Sequence, residues 1–143
     1  MINNLDLHML NIAKAVSKLS DFKQTKLGCV IVYKKQILST GYNAEKTNPY
    51  QRKYNVYRHF DEPEKAIDKV HAEIAALSKL PWFVYENHLN FRKFTVYVYR
   101  EYKSTHKYAC ALPCSACYRA LQDCHIGRIV ATIKDGIKEI KLN

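Results

Sequence analysis

Cys114 and Cys117 follow Pro113 in the stretch "ALPCSACYRALQDC" (residues 111–124). At i and i+3 the two thiols share one face of a helix. Pro113 suits the start of that helix, where no intrahelical N–H is needed. Unpaired N–H groups and the positive end of the dipole there favour thiolate. Two thiolates so placed form half a site for a soft or borderline metal. The same spacing also suits a redox pair. A third reading is plain packing, because Cys114, Cys117, Leu121 and Cys124 lie on one stripe and free cysteine packs as a small hydrophobe.

Some forty residues earlier stands "KVHAEIAAL" (69–77), which puts His71, Ala72 and Glu73 in the first turn of a second helix. Alone, His71 is an ordinary polar residue and Glu73 an ordinary first-turn acid. Together with the cysteines they complete a pattern. Hydrolytic zinc needs three protein ligands and one open position for water. One histidine and two cysteines supply the three, and a carboxylate that is not a ligand supplies the base. H-x-E followed by P-C-x-x-C is the spacing of the zinc deaminases.

These residues need elements to hold them. Leu5, Met9, Ile12, Ala13, Val16 and Leu19 recur at helical spacing, which predicts an amphipathic helix over 5–19. "LGCVIVYKK" (27–35) and "QILSTGYN" (36–43) predict two strands joined by a tight turn. Residues 44–68 carry neither period and read as a long functional loop with a helical turn near its end. A helix over 69–80 stops at Pro81, and "FTVYVYR" (94–100) is a strand. The helix after Pro113 runs to about His125, with Gly127 ending it. "RIVATIK" (128–134) is a strand, and Asp135-Gly136 predicts a hairpin into "IKEIKLN". The order α-β-β-loop-α-β-α-β-β predicts an α/β protein with one sheet covered by helices.

The 143 residues suit a single domain, 1–143, and 48% of them are hydrophobic. No run of about 18 apolar residues suggests a membrane span, and the first residues do not read as a signal peptide. An odd number of cysteines, five, points to a reducing, cytoplasmic setting and to metal or thiol chemistry rather than a disulfide framework. The net charge of +10 favours an anionic partner, a nucleotide or a nucleic acid.

"HAEIAAL" and "PCSAC" closely resemble the zinc-dependent cytidine and deoxycytidylate deaminase superfamily. "GCVIVYKKQILSTGYN" is similar to its first two strands, and "CHIGRIV" to the stretch after its second zinc helix. The resemblance spans roughly residues 5–134. It implies a three-layer α/β/α cytidine deaminase-like fold on a mixed sheet of about five strands. It implies that His71, Cys114 and Cys117 bind one Zn2+ and that Glu73 shuttles protons while cytosine is hydrolysed to uracil. It also implies that Asn43, the backbone N–H of Ala72 and the carbonyl of Leu112 line the base pocket, and that the chain is a homo-oligomer.

The substrate is narrowed by the same resemblance. H-A-E and "STGYN" before a long polar insertion are most similar to deoxycytidylate deaminases, including short phage-type ones. The free nucleotide dCMP is the first expectation, with Arg52, Lys53 and Arg58 of the insertion meeting its 5′-phosphate. The insertion holds His59 and no cysteine, so one zinc is expected. The alternative is a deaminase editing cytosine or adenosine in single-stranded DNA or RNA. Tyr97, Tyr99, Tyr102 and Tyr108 interleave with Arg100, Lys103 and Lys107, a pattern that suits stacking on bases and neutralising phosphates. A zinc-stapled binding module is a third class, disfavoured by Glu73 and by the missing fourth ligand. Relatives acting on nucleotides usually carry a helix between their last two strands, and "RIVATIKDGIKEIKLN" has no room for one. For Cys29, Cys110 and Cys124 packing is the default, and His106 has no assigned role.

Overall fold

The structure is a computed structural model that describes residues 2–58, 69–81, 84–85 and 89–142. Helix α1 (Asn4–Ser17) is followed by strands β1 (Leu27–Tyr33) and β2 (Gln36–Tyr42). Helix α2 (Pro49–Asn55) and a 3-10 turn (Val56–Arg58) come next, then α3 (Ala72–Ser78) and β3 (Phe94–Arg100). Helix α4 (Ser115–Asp123) and strands β4 (Arg128–Ile133) and β5 (Gly136–Lys141) complete the order. The five strands form one sheet in the order β2-β1-β3-β4-β5. Only β3 and β4 run parallel; every other neighbouring pair is antiparallel. Among the described residues no helix is long and apolar enough to cross a membrane.

Alternation along the strands divides the interior in two, because successive side chains point to opposite faces. Val30, Val32, Tyr97, Tyr99 and Val130 meet Met9, Leu10, Ala13 and Val16 of α1 on one face. Cys29, Ile31, Val96, Val98, Ile129 and Ala131 meet α3 and α4 on the other. Each large side chain buried this way contributes on the order of 1.5–3 kcal/mol by leaving water. The expected three-layer α/β/α fold on a mixed five-stranded sheet is what forms.

Four local expectations change. The first helix starts at a capping box, with Asn3 and Asp6 each accepting the other's backbone N–H, and it ends before Leu19, which is 65% exposed. The segment read as loop contains α2. Its signal is Asn48-Pro49: the Asn48 side chain caps the N–H groups of Tyr50 and Gln51, and Pro49 opens the first turn. The later part of that expected loop, with His59 and Pro63, lies outside the described residues. The helix over 69–80 is shorter, and His71 is its N-cap rather than part of its first turn.

Gly127 does not end α4. The left-handed residue there is His125 (φ 60°). The His125 N–H reaches the Gln122 carbonyl at 2.9 Å and the Ile126 N–H reaches Leu121 at 3.1 Å, closing a Schellman motif. Gly127 is needed for space instead, since a Cβ there would lie 1.7 Å from the Arg92 carbonyl oxygen. The last two strands form the expected hairpin, with Ile133 opposite Gly136. Gly41 has a matching role at the site: a Cβ on it would lie 2.4 Å from the backbone of both Ala72 and Ala76, so α3 rests directly on β2.

Candidate metal centre and cleft

Helices α3 and α4 begin beside each other, and their N-caps are His71 and Cys114. The His71 side chain makes no cap hydrogen bond. Its Nδ1 is turned instead to Cys114 Sγ at 3.5 Å and Cys117 Sγ at 3.3 Å. Cys114 Sγ also accepts the backbone N–H of Cys117 at 3.5 Å. The donor atoms of His71, Cys114 and Cys117 all lie within 4.8 Å of one another, and they are the only such metal-capable group among the described residues.

The donor set fits zinc. Around a tetrahedral ion with Zn–N and Zn–S bonds of about 2.0 and 2.3 Å, nitrogen and sulfur stand about 3.5 Å apart. The two observed separations are close to that. Hydrogen bonding from Cys117 is the main reason the Cys114 thiol is held at about 4, with His71 adding to it against burial. The partner is the mirror case: giving that hydrogen bond to Cys114, together with burial, raises the Cys117 thiol. A divalent ion at these donors would bind both sulfurs as thiolates and release their protons.

Glu73 sits two residues past His71, 3% exposed. Burial raises its carboxyl to about 7, with His71 pulling down and Cys114 pushing up. A dication at the neighbouring donors would pull it back towards the ordinary carboxylate range. A group that changes protonation near neutrality, buried beside a metal-capable cluster, is suited to proton transfer.

Above these residues opens a cleft of about 460 Å³. Asn43, Ala72, Glu73, Leu112, His71 and Cys114 are in its wall. Leu112 is held there because the Ala111 N–H donates to the Thr132 carbonyl at 2.9 Å, and the buried Thr132 Oγ1 donates to Ala109 O at 2.9 Å. Asn43 already spends part of its amide on the backbone. Its Oδ1 accepts from Leu27 N at 2.9 Å and its Nδ2 donates to Thr25 O at 2.7 Å, which clamps the start of β1.

Of the three cations expected near a phosphate, the structure brings Arg58 to the cleft and leaves Arg52 and Lys53 out of its lining. Both lie exposed on α2, and Lys53 covers the Tyr54 ring. The other cations in the lining are Lys69 and Arg100. Arg100 entered the sequence reading only within the tyrosine–cation pattern, as a phosphate contact of a polynucleotide, and Lys69 had no site role there. Lys69 lies just before the helix, in an antiparallel bridge with Thr47, and Arg100 ends β3. Only the folded topology brings strand end and helix start together.

The tyrosine ladder resolves differently from the stacking platform it resembles. Tyr97 and Tyr99 are buried under α1, where their hydroxyls donate to Asp6 at 2.7 Å and Glu101 at 2.8 Å. Tyr108 packs edge-on against Tyr99, and Tyr102 is 43% exposed. Alternation in a strand, rather than nucleic-acid contact, accounts for the first pair. Cys29 is buried in the core, Cys110 is exposed at the cleft, and Cys124 is the C-cap of α4 beside the Tyr50 hydroxyl. His106 Nδ1 lies 3.2 Å from a Glu101 carboxylate oxygen.

Solved structures share this arrangement of elements. A cytidine deaminase from Burkholderia pseudomallei superposes with a TM-score of 0.59 at 16% identity, over 98% of this chain and 93% of its own. The dCMP deaminase of cyanophage S-TIM5 superposes with a TM-score of 0.57 at 19% identity, over 92% of this chain and 84% of its own. None of the curated protein sequences matches the chain significantly. The profile of the cytidine and deoxycytidylate deaminase zinc-binding region matches residues 3–133. With nearly the whole sequence matched, the fold shared and a three-donor site for one zinc ion in place, the chain belongs to the cytidine and deoxycytidylate deaminase family of zinc enzymes.

Proposed function

We propose that this enzyme hydrolyses the exocyclic amine of a free deoxycytidine nucleotide such as dCMP, giving the uracil nucleotide and ammonia. One observation carries the reading: a buried Glu73 carboxyl beside three convergent zinc donors, in a cleft whose lining includes Arg58, Lys69 and Arg100. The size of the cleft falls within the roughly 300–1,000 Å³ of small-molecule sites. Arg58 supports an anionic ligand because its Nε is buried with no hydrogen-bond partner among the described residues. The S-TIM5 enzyme, which shares the fold, has been solved in complex with dCMP and dUMP.

His71, Cys114 and Cys117 would hold the zinc ion through one nitrogen and two sulfurs. When bound, zinc supplies a Lewis acid that makes water a nucleophile at neutral pH. Glu73 takes the proton of the attacking water on a carboxylate oxygen. It delivers that proton to the ring nitrogen beside the amine-bearing carbon as the water oxygen bonds to that carbon. It then takes the second proton from the newly added hydroxyl and hands it to the amine, so that the C–N bond breaks, ammonia leaves and the C=O of uracil forms. The Ala72 N–H and the Leu112 carbonyl orient the base, and Asn43 faces the sugar with the hydrogen-bonding capacity its backbone clamp leaves free. Arg58, Lys69 and Arg100 receive the phosphate.

We place the protein in a reducing, cytoplasmic setting, in keeping with five free cysteines, and as a homo-oligomer. A second reading, editing of single-stranded nucleic acid, draws on the groove that continues past Arg100 along Gln24, Tyr102 and Lys103. Incubating the protein with dCMP, deoxycytidine, single-stranded DNA and tRNA, and assaying each for uracil or inosine, separates the two. Product from dCMP is expected; product from polynucleotide alone overturns the first reading.

A further inference from the structure

Gln51 is fully buried in α2, a place where an uncharged polar side chain persists only when its amide is satisfied. Its Oε1 accepts the backbone N–H of His71 at 2.9 Å, and its Nε2 donates to Asn55 Oδ1 at 2.7 Å. The orientation is forced. A backbone N–H can only donate, so it needs Oε1, and Nε2 is left for the asparagine oxygen.

His71 needs that partner. As the N-cap of α3 its N–H has no place in the helical ladder, and its ring is turned to the sulfurs rather than back to the helix. The chain before it is pinned separately, by Val70 N–H to Lys46 O and by Ala44 N–H to Val70 O, each at 3.1 Å. Gln51 therefore fixes the one backbone group at which the chain leaves that pairing and enters the helix. From the same segment, Arg58 Nη1 lies 3.3 Å from His71 Nε2. The His71 backbone is thus held from residues 51–58, and the Arg58 guanidinium lies beside its ring. That segment is also tied to the cysteine helix, through Ser115 Oγ to Tyr57 O and Tyr54 Oη to Asp123, each at 2.8 Å.

We propose that Gln51 is a positioning residue for the metal centre, holding the His71 backbone so that the imidazole meets the two sulfurs. The inference rests on the reading of His71 as a zinc ligand. Partners that orient a ligand from outside the coordination sphere typically change metal affinity by about 10–100-fold.

The test compares zinc affinity, by chelator competition, and the visible spectrum of the cobalt-substituted protein across four variants. His71→Ala tests the underlying reading. Gln51→Leu removes the acceptor, Gln51→Glu keeps one, and Asp6→Asn destabilises the opposite face of the sheet without touching the site. Circular dichroism of each metal-free variant establishes that it is folded. Gln51→Leu should bind zinc about 10–100-fold more weakly with an altered cobalt spectrum. Gln51→Glu should regain most of that affinity, which keeps the proposal testable where Gln51→Leu fails to fold. Asp6→Asn should bind as the unaltered chain does. If His71→Ala binds zinc normally, the ligand assignment fails. If His71→Ala is impaired while Gln51→Leu binds with unchanged affinity and spectrum, the positioning role alone is overturned. A loss in Gln51→Leu no larger than in Asp6→Asn, or no recovery in Gln51→Glu, overturns it as well.

Discussion

Cys114 Sγ and His71 Nδ1 stand 3.5 Å apart although 43 residues separate them in the chain. That separation joins two helix starts that share no sequence neighbourhood. Metal binding at such a junction is therefore coupled to tertiary structure, because the unfolded chain has no preformed site. Cys114→Ala and Cys117→Ala should each lose zinc and also lower the melting temperature. Elemental analysis and thermal unfolding check both effects. Chelator treatment of the unaltered protein should reproduce the fall in stability. Full zinc content in either variant would show that its cysteine is not a ligand.

Glu73→Gln should keep its zinc and its fold while turnover falls by about 10²–10⁴-fold, the usual range for general acid–base groups. The amide has nearly the volume of the carboxyl it replaces, so the buried site is not reshaped. Measured zinc content separates this outcome from a ligand defect. Turnover within a fewfold of the unaltered enzyme would remove Glu73 from the reaction.

The donor cluster was legible because its parts are written locally. His71 with Glu73 and Cys114 with Cys117 each lie within three residues at a helix start. What stayed hidden depends on pairing across the sheet. Lys69 and Arg100 belong to different elements, and nothing along the chain says that they share a cleft. Gln51 looks like one more polar residue of a basic segment until the fold sets it against the His71 backbone. The α2 helix itself was readable in Asn48-Pro49, but its composition, with two tyrosines and no apolar stripe, masked it. Tyr97 and Tyr99 were open to two readings, since alternating tyrosines look the same in a buried strand and on a stacking surface.

Arg58→Ala should raise KM for dCMP about tenfold, while leaving kcat/KM for deoxycytidine within a fewfold. A single charge-assisted contact to phosphate contributes about 1.5–3 kcal/mol, and tenfold corresponds to about 1.4 kcal/mol. The nucleoside lacks the phosphate and serves as the internal control, which also corrects for the contact between Arg58 and His71. An equal loss on both substrates would assign Arg58 to the metal centre rather than to the phosphate.

Asp6 supplies the pH prediction. Burial alone would raise its carboxyl, but hydrogen bonds from Arg128, Tyr97 and the Asn3 backbone outweigh that and hold it at about 2, below the ordinary 3.8. Arg128 Nη1 and Nη2 each reach the carboxylate at 2.8 Å, and Arg128 Nε meets Glu139. A depressed folded-state pKa means that the contribution is present above about pH 4 and is lost as pH falls from 4 through 2. The shift corresponds to about 2 kcal/mol. Removing the buried charge by Asp6→Asn should cost about 3 kcal/mol at pH 7, because Arg128 then loses a buried partner. Melting temperature against pH should therefore fall steeply below pH 4 in the unaltered protein and more gently in Asp6→Asn, the curves converging towards pH 2. Parallel curves over that range would mean that Asp6 is not the group whose protonation loosens α1 from the sheet.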